Sequence, residues 1–143
     1  MVEAVNTRSG NIVIRNLAIR CSFRGRLRGF MFSRRPGNGS AILLLHTGRV
    51  HTAWMRFYLD LYFFDASWGL LGSTRAVGPF RLPSSPGGCR HILEVPHTPG
   101  SPPLKMALGD RLSIVIRAHL ECGNTIPVSA SPEKLRAEGE DRP

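Results

Sequence analysis

The stretch that decides the fold is Val50–Asp65, VHTAWMRFYLDLYFFD. Counting by twos from Phe57 places Phe57, Leu59, Leu61 and Phe63 on one side and Arg56, Tyr58, Asp60, Tyr62 and Phe64 on the other, the two-residue period of a β-strand. One face is wholly apolar and the other is aromatic with a single acid, so the spacing predicts a central strand covered on both sides. No turn signal interrupts the run, so a continuous strand is expected unless the chain turns near Arg56–Tyr58.

Working outward, other period-2 runs are separated by Gly- and Pro-rich turns. Ala41–His46 (AILLLH) reads as a short buried strand joined through Thr47-Gly48-Arg49 to the central one, which predicts an antiparallel hairpin. Leu70–Val77, His91–Val95 and Arg111–Leu120 read as further strands. In His91–Val95, Ile92 and Glu94 share one face and Leu93 and Val95 the other. Asn11–Arg20 is a strand with a bulge or reversal near Asn16. Helical spacing occurs in one place. Ser22 is a candidate N-cap, and Phe23, Leu27 and either Phe30 or Met31 make one apolar stripe, with Arg24, Arg26 and Arg28 directed outward. The fold class expected is mainly β, a small barrel-like or two-layer antiparallel sheet domain with one short helix near the N-terminus. It spans residues 1–122, and 123–143, where apolar residues thin out, is expected to be a disordered tail.

A chain of 143 residues, 42% apolar, suits one domain able to bury a core without metal or disulfide support. No run of about 18 apolar residues suggests a membrane span, and the N-terminal stretch lacks the apolar core of a secretory signal, so a cytoplasmic protein is expected. Cys21, Cys89 and Cys122 are far apart and form no CxxC pair, which predicts reduced thiols and no metal site. No cofactor fingerprint is present. The formal charge is +9, and of 19 basic residues only Lys105 and Lys134 are not Arg. Eight Arg precede Pro36 against one acid, Glu3. Such a surplus points either to an anionic partner or to an Arg-rich composition whose side chains are simply solvated.

The order Arg28-Gly29-Phe30-Met31, His51-Thr52-x-x-Met55-Arg56-Phe57-x-Leu59-Asp60-x-x-Phe63-x-Asp65, Pro79, Leu93-Glu94-Val95-Pro96 and Gly109-Asp110 resembles the Domain of Unknown Function 192 family, from about Ile12 to about Ile116. The resemblance implies a small, mainly β domain found widely in prokaryotes, with no established activity. Tyr58 stands where the family usually has Pro, and Phe32 where it commonly has Gly. Many members carry an export signal, and this sequence shows none.

The candidate catalytic residues are His51, Asp60, Glu94 and Asp110. His51 and Asp60 would lie about 30 Å apart in a continuous strand and on opposite faces, so Glu94 and Asp110, at the ends of other strands, are the better-placed partners for His51. Asp60 is expected to be neutralised by Arg56 or by an Arg of the 24–28 region, since a buried acid must be paired. Asp65 and Asp110 are most simply turn residues. The reading favoured is a non-enzymatic binding or accessory module with a groove formed by His51, Thr52, Trp54, Met55, Arg56 and Tyr58. A basic rim of Arg24, Arg26, Arg28, Arg34 and Arg35 would suit a small anionic ligand or an acidic protein partner. The alternatives are a hydrolase-like enzyme using His51 with a carboxylate, and weak nucleic-acid binding through the Arg-rich segment 20–35.

Overall fold

The computed structural model describes residues 1–32, 34, 39–116 and 128–129. In chain order the elements are β1 (Val2–Asn6), β2 (Ile12–Ile14), β3 (Asn16–Arg20), α1 (Phe23–Arg28), β4 (Ser40–Leu44), β5 (Leu59–Phe64), β6 (Leu70–Val77), β7 (His91–Pro96), β8 (Leu112–Ile116) and β9 (Val128–Ser129). Among the described residues these strands make a four-stranded sheet, β2-β1-β8-β9, and a five-stranded sheet, β3-β4-β7-β5-β6. The architecture is two-layered and mainly β, with one short helix, and is not a closed barrel.

The central strand is β5. All six of its residues are buried, and its two faces enter different cores. Tyr62 and Phe64 join Leu43, Leu93, Ala4, Ile14 and Leu112 between the two sheets. Leu59, Leu61 and Phe63 face the other way, onto Ile42, Leu44, Ile92, Phe30, Val50 and Met55. The alternation read from the sequence is therefore the alternation in the fold. Each face of the five-stranded sheet has its own cover, the second sheet on one side and a layer of helix and loop on the other.

Three expectations fail. The strand does not extend back to Val50, because residues 51–58 form a loop pinned by Thr52. The buried Thr52 hydroxyl donates to the Gly78 carbonyl and accepts from the Arg81 amide, and the Phe80 amide donates to the Thr52 carbonyl. Trp54, with φ 57°, then turns the chain out of any extended path. The β4–β5 hairpin does not form either. The long loop leaves β4 free to pair with β7 on one side and, in parallel, with β3 on the other, so that β7 lies between β4 and β5. Thirdly, the Asn11–Arg20 run divides at Arg15 into β2 and β3, which belong to different sheets.

β1 was not expected at all, since Glu3 and Asn6 interrupt its apolar residues; both are buried, Asn6 through a bond to Asp110. The tail beyond residue 122 and Cys122 lie outside the described residues, apart from Val128–Ser129 paired with β8.

Candidate functional site

Helix α1 begins where the sequence places it. Ser22 is extended (φ −73°, ψ 151°), and its hydroxyl accepts the Gly25 amide, satisfying one of the donors a helix start leaves open. The helix is short and ends at Gly29, whose φ of 40° and ψ of −122° suit only a residue without a side chain. The expected stripe is corrected here. Phe23 is exposed, and the residue that anchors this segment to the sheet is Phe30. Six residues of helix cannot carry a full stripe, so the anchor falls just past its end.

What lies beneath the helix end is the most informative side chain in the molecule. Glu94 occupies the middle of β7, opposite Ile42 of β4 and Leu61 of β5, on the apolar face that the helix and loop cover. It is 2% exposed, and its Oε2 has no hydrogen-bond partner among the described residues. A Cβ on Gly29 would lie 2.9 Å from that oxygen, so glycine lets the helix terminus sit directly on the carboxyl group. An ionised carboxylate without a partner in such a place is very costly. Burial accordingly pushes the Glu94 carboxyl up to about 8, which leaves it mostly protonated, and a hydrogen-bond donor, at neutral pH.

Glu94 borders a cavity of about 160 Å³ between the helix end and the 46–55 loop. Phe30, Val50 and Met55 give it apolar walls, Arg28 and Arg49 give it a cationic margin, and His51 also lines it. His51 thus shares a cavity with Glu94. No bond joins them: Glu94 Oε2 is unpartnered, and His51 Nδ1 accepts the Ala53 amide at 3.4 Å. Arg26 also lines this cavity, but it is not directed outward as expected, since its guanidinium donates to the Cys21 and Leu45 carbonyls and ties the helix to the end of β4.

The remaining candidates are dispersed. Asp60 is buried on the opposite face of the sheet, 2.9 Å from the Ala76 amide, 3.2 Å from Arg75 Nε and 2.8 Å from His97 Nδ1. Its cation is therefore Arg75, with His97, and not Arg56 or an Arg of the helix. That pairing follows from β6 lying antiparallel beside β5 across the Ala66–Gly69 turn. Asp110 closes the turn before β8, accepting from the Ala107 amide and the Asn6 side chain with Arg8 alongside, and these bonds hold its carboxyl below the usual range. Asp65 binds the Ser67 and Gly69 amides, as its turn position implies.

Of the six expected groove residues, His51 and Met55 line the cavity. Thr52 is used in pinning the loop, and Trp54, Arg56 and Tyr58 are on the surface. Arg24, Arg28 and Arg34 border a second, wider depression on the outer side of the helix, and Arg35 lies outside the described residues.

One buried titratable group was missed by the sequence reading. His91, beside Glu94 in β7 but on the face toward Trp68, stacks on that indole at 4.1 Å and accepts the His46 amide on Nδ1. Burial and the neighbouring His46 push it down to about 4, so it stays neutral. Among the described residues no three His, Cys, Asp or Glu converge as a metal site would require, and no helix is long and apolar enough to cross a membrane.

These features define a small two-sheet β protein with an acid-floored cavity under a helix terminus. The chain belongs to the DUF192 family, uncharacterized ACR, whose profile matches residues 4–114. A comparison with curated proteins gives no match. Among solved structures, a protein of unknown function from Novosphingobium aromaticivorans is similar, with a TM-score of 0.63 and 17% identity over 78% of this chain and 81% of that one. A candidate transcription regulator from Sinorhizobium meliloti superposes with a TM-score of 0.55 and 15% identity, over 78% and 89% of the two chains. At these identities the likeness is one of fold.

Proposed function

We propose that the protein is a non-enzymatic binding module that holds a small amphipathic anion in the cavity over Glu94. The observation that carries this reading is a buried carboxyl group with an oxygen that has no partner among the described residues, at the edge of a cavity walled by Phe30, Val50 and Met55. Buried polar groups almost always have partners, and one that lacks them calls for a role. A protonated Glu94 donates a hydrogen bond to an anionic oxygen, and Arg28 and Arg49 at the margin supply opposite charge. A cavity of about 160 Å³ has the size of engineered apolar cavities that accept benzene, so the ligand's apolar part is a single ring or a short chain.

The enzymatic alternative is less well supported. A His–carboxylate pair needs the two groups within hydrogen-bond reach, and His51 bonds its own loop while the paired acid, Asp60, lies across the sheet.

Benzoate, benzamide and benzylamine separate the possibilities by calorimetry at pH 6.5. Benzoate is expected to bind, to weaken above pH 8 as Glu94 ionises, and to keep its affinity at pH 9 in Glu94→Gln, whose amide still donates. Preference for benzylamine, or benzoate binding indifferent to Glu94→Leu, would reject the anion reading.

A further inference from the structure

The structure sorts the charges of this protein in a way the sequence does not reveal. Among the described residues the acids are Glu3, Asp60, Asp65, Glu94 and Asp110. Four are buried, and Asp65 is half-buried and held in its turn. The basic residues are arranged the other way, with all but Arg26 and Arg75 exposed. The charge presented to solvent by the described residues is therefore positive throughout. One depression on this surface, bordered by Arg20, Arg24, Arg28 and Arg34, concentrates it.

Three exposed aromatic rings also stand in a row on the surface. Phe32, which lies between Arg28 and Arg34 in the chain, stacks on Trp54 with centroids 5.9 Å apart and planes 21° apart. Trp54 in turn meets the edge-on ring of Phe80 at 5.5 Å. The three are 58%, 57% and 65% exposed, so the contact does not serve to bury them. All three have left-handed backbone, with φ of 56°, 57° and 55°. Bulky residues rarely adopt that conformation, and backbone strain of this kind concentrates at binding and switch regions. Three consecutive members of one surface row share it. The row is held from below by the Phe32 amide donating to the Trp54 carbonyl and the Phe80 amide donating to Thr52, and Arg56 and Arg81 flank it in sequence.

We infer that the row Phe32-Trp54-Phe80 with the neighbouring arginines is a stacking platform for single-stranded nucleic acid, whose arginine border shares Arg28 with the margin of the cavity over Glu94. Exposed rings fixed in place accept unpaired bases, whose faces stack without regard to sequence, and the arginines track the phosphates. Charge complementarity selects this partner among those that an aromatic surface could take, because a surface whose exposed charges, among the described residues, are all cationic repels basic partners and offers a neutral one no electrostatic gain. Duplex nucleic acid hides its base faces and is bound here through phosphates alone, with no element shaped to enter a groove.

The test uses the full chain and a labelled oligothymidylate of about 12 nucleotides, compared with an abasic oligomer of equal length, the corresponding duplex and heparin. The oligothymidylate is expected to bind with steep salt dependence and at least fivefold more tightly than the abasic oligomer. It should change the emission of Trp54, Trp68 being buried against His91. Trp54→Ala should weaken binding roughly five- to a hundredfold without altering the melting temperature, Trp54→Phe should retain most of it, and Leu108→Ala, at an exposed apolar residue outside the row, should leave it unchanged. Equal affinity for the abasic oligomer, the duplex and heparin, or a Trp54→Ala protein that binds like the wild type, would show that only diffuse positive charge attracts the strand and would overturn the platform.

Discussion

Asp60 and Glu94 sit on neighbouring strands of one sheet, almost equally buried, and have opposite fates. Asp60, on the face toward the second sheet, is met by a backbone amide, an arginine and a histidine. Glu94, on the face toward the helix and loop, has a cavity beside it and an oxygen without a partner. A buried acid surrounded by donors belongs to the scaffold, since its cost is already offset within the fold. One left open under a glycine is a position where the fold has given up stability, and stability is usually given up where a ligand is received. The contrast is made by the covers of the two faces, because the strands themselves are alike.

The largest effect should come from breaking the paired member. Asp60→Ala removes the carboxylate that meets His97, the Ala76 amide and Arg75 Nε and should cost about 3–5 kcal/mol in denaturant melts at pH 7. A loss below about 1 kcal/mol would mean that Asp60 is no more structural than Glu94.

The pH dependence of stability sharpens the other half. Glu94 is raised from 4.5 to about 8, so between those values the folded protein keeps a proton that the unfolded chain has lost, and stability falls as pH rises. His91 is lowered from 6.5 to about 4, so over that range the unfolded chain holds the extra proton and stability climbs with pH. The two slopes oppose each other below pH 6.5, and Glu94 acts alone from 6.5 to 8. Over that upper window the wild type should lose about 2 kcal/mol, a loss absent in Glu94→Gln. Equal slopes in the two proteins would remove Glu94 from the account.

A smaller effect tests the contact that keeps the cavity open. Gly29→Ala forces a Cβ toward Glu94 Oε2 in a backbone conformation that disfavours any side chain. It should destabilise by about 1–2 kcal/mol. Part of that cost should vanish in the Glu94→Ala background, with a coupling of at least about 0.5 kcal/mol in the double-mutant cycle. Strict additivity would place Gly29 outside the site.

Much of this was legible in the sequence, for a physical reason. Period-2 alternation is a local property, and Leu59, Leu61 and Phe63 against Tyr62 and Phe64 announced a strand covered on both faces. Ser22 announced its cap, and Asp65 and Asp110 their turns, because a short polar side chain meets its own backbone within a few residues. Pairing is not local. That β7 lies between β4 and β5 depends on sheet order, which no spacing encodes, whereas Arg75 reaches Asp60 across the antiparallel β5–β6 pair that the Ala66–Gly69 turn joins. Thr52 stopped the strand through bonds to Gly78 and Arg81, and composition gave no sign of them. The Glu94 site was half legible: Ile92 and Glu94 shared a face on paper, and an acid alternating with isoleucine in a buried strand was the available signal. Its significance needed Gly29, 65 residues away in sequence, laid over it. The aromatic row was illegible, since Phe32, Trp54 and Phe80 come from three separate loops.

Glu94 is a buried acid, mostly neutral at pH 7 and open to the cavity. Its side-chain carboxyl carbon, followed by NMR in protein labelled at glutamate and assigned through Glu94→Gln, reports that directly. A titration midpoint near 8, moving upward in the presence of benzoate, is the result the account requires. A midpoint near 4.5, unmoved by benzoate, would show an ordinary solvated or paired carboxylate and would contradict it.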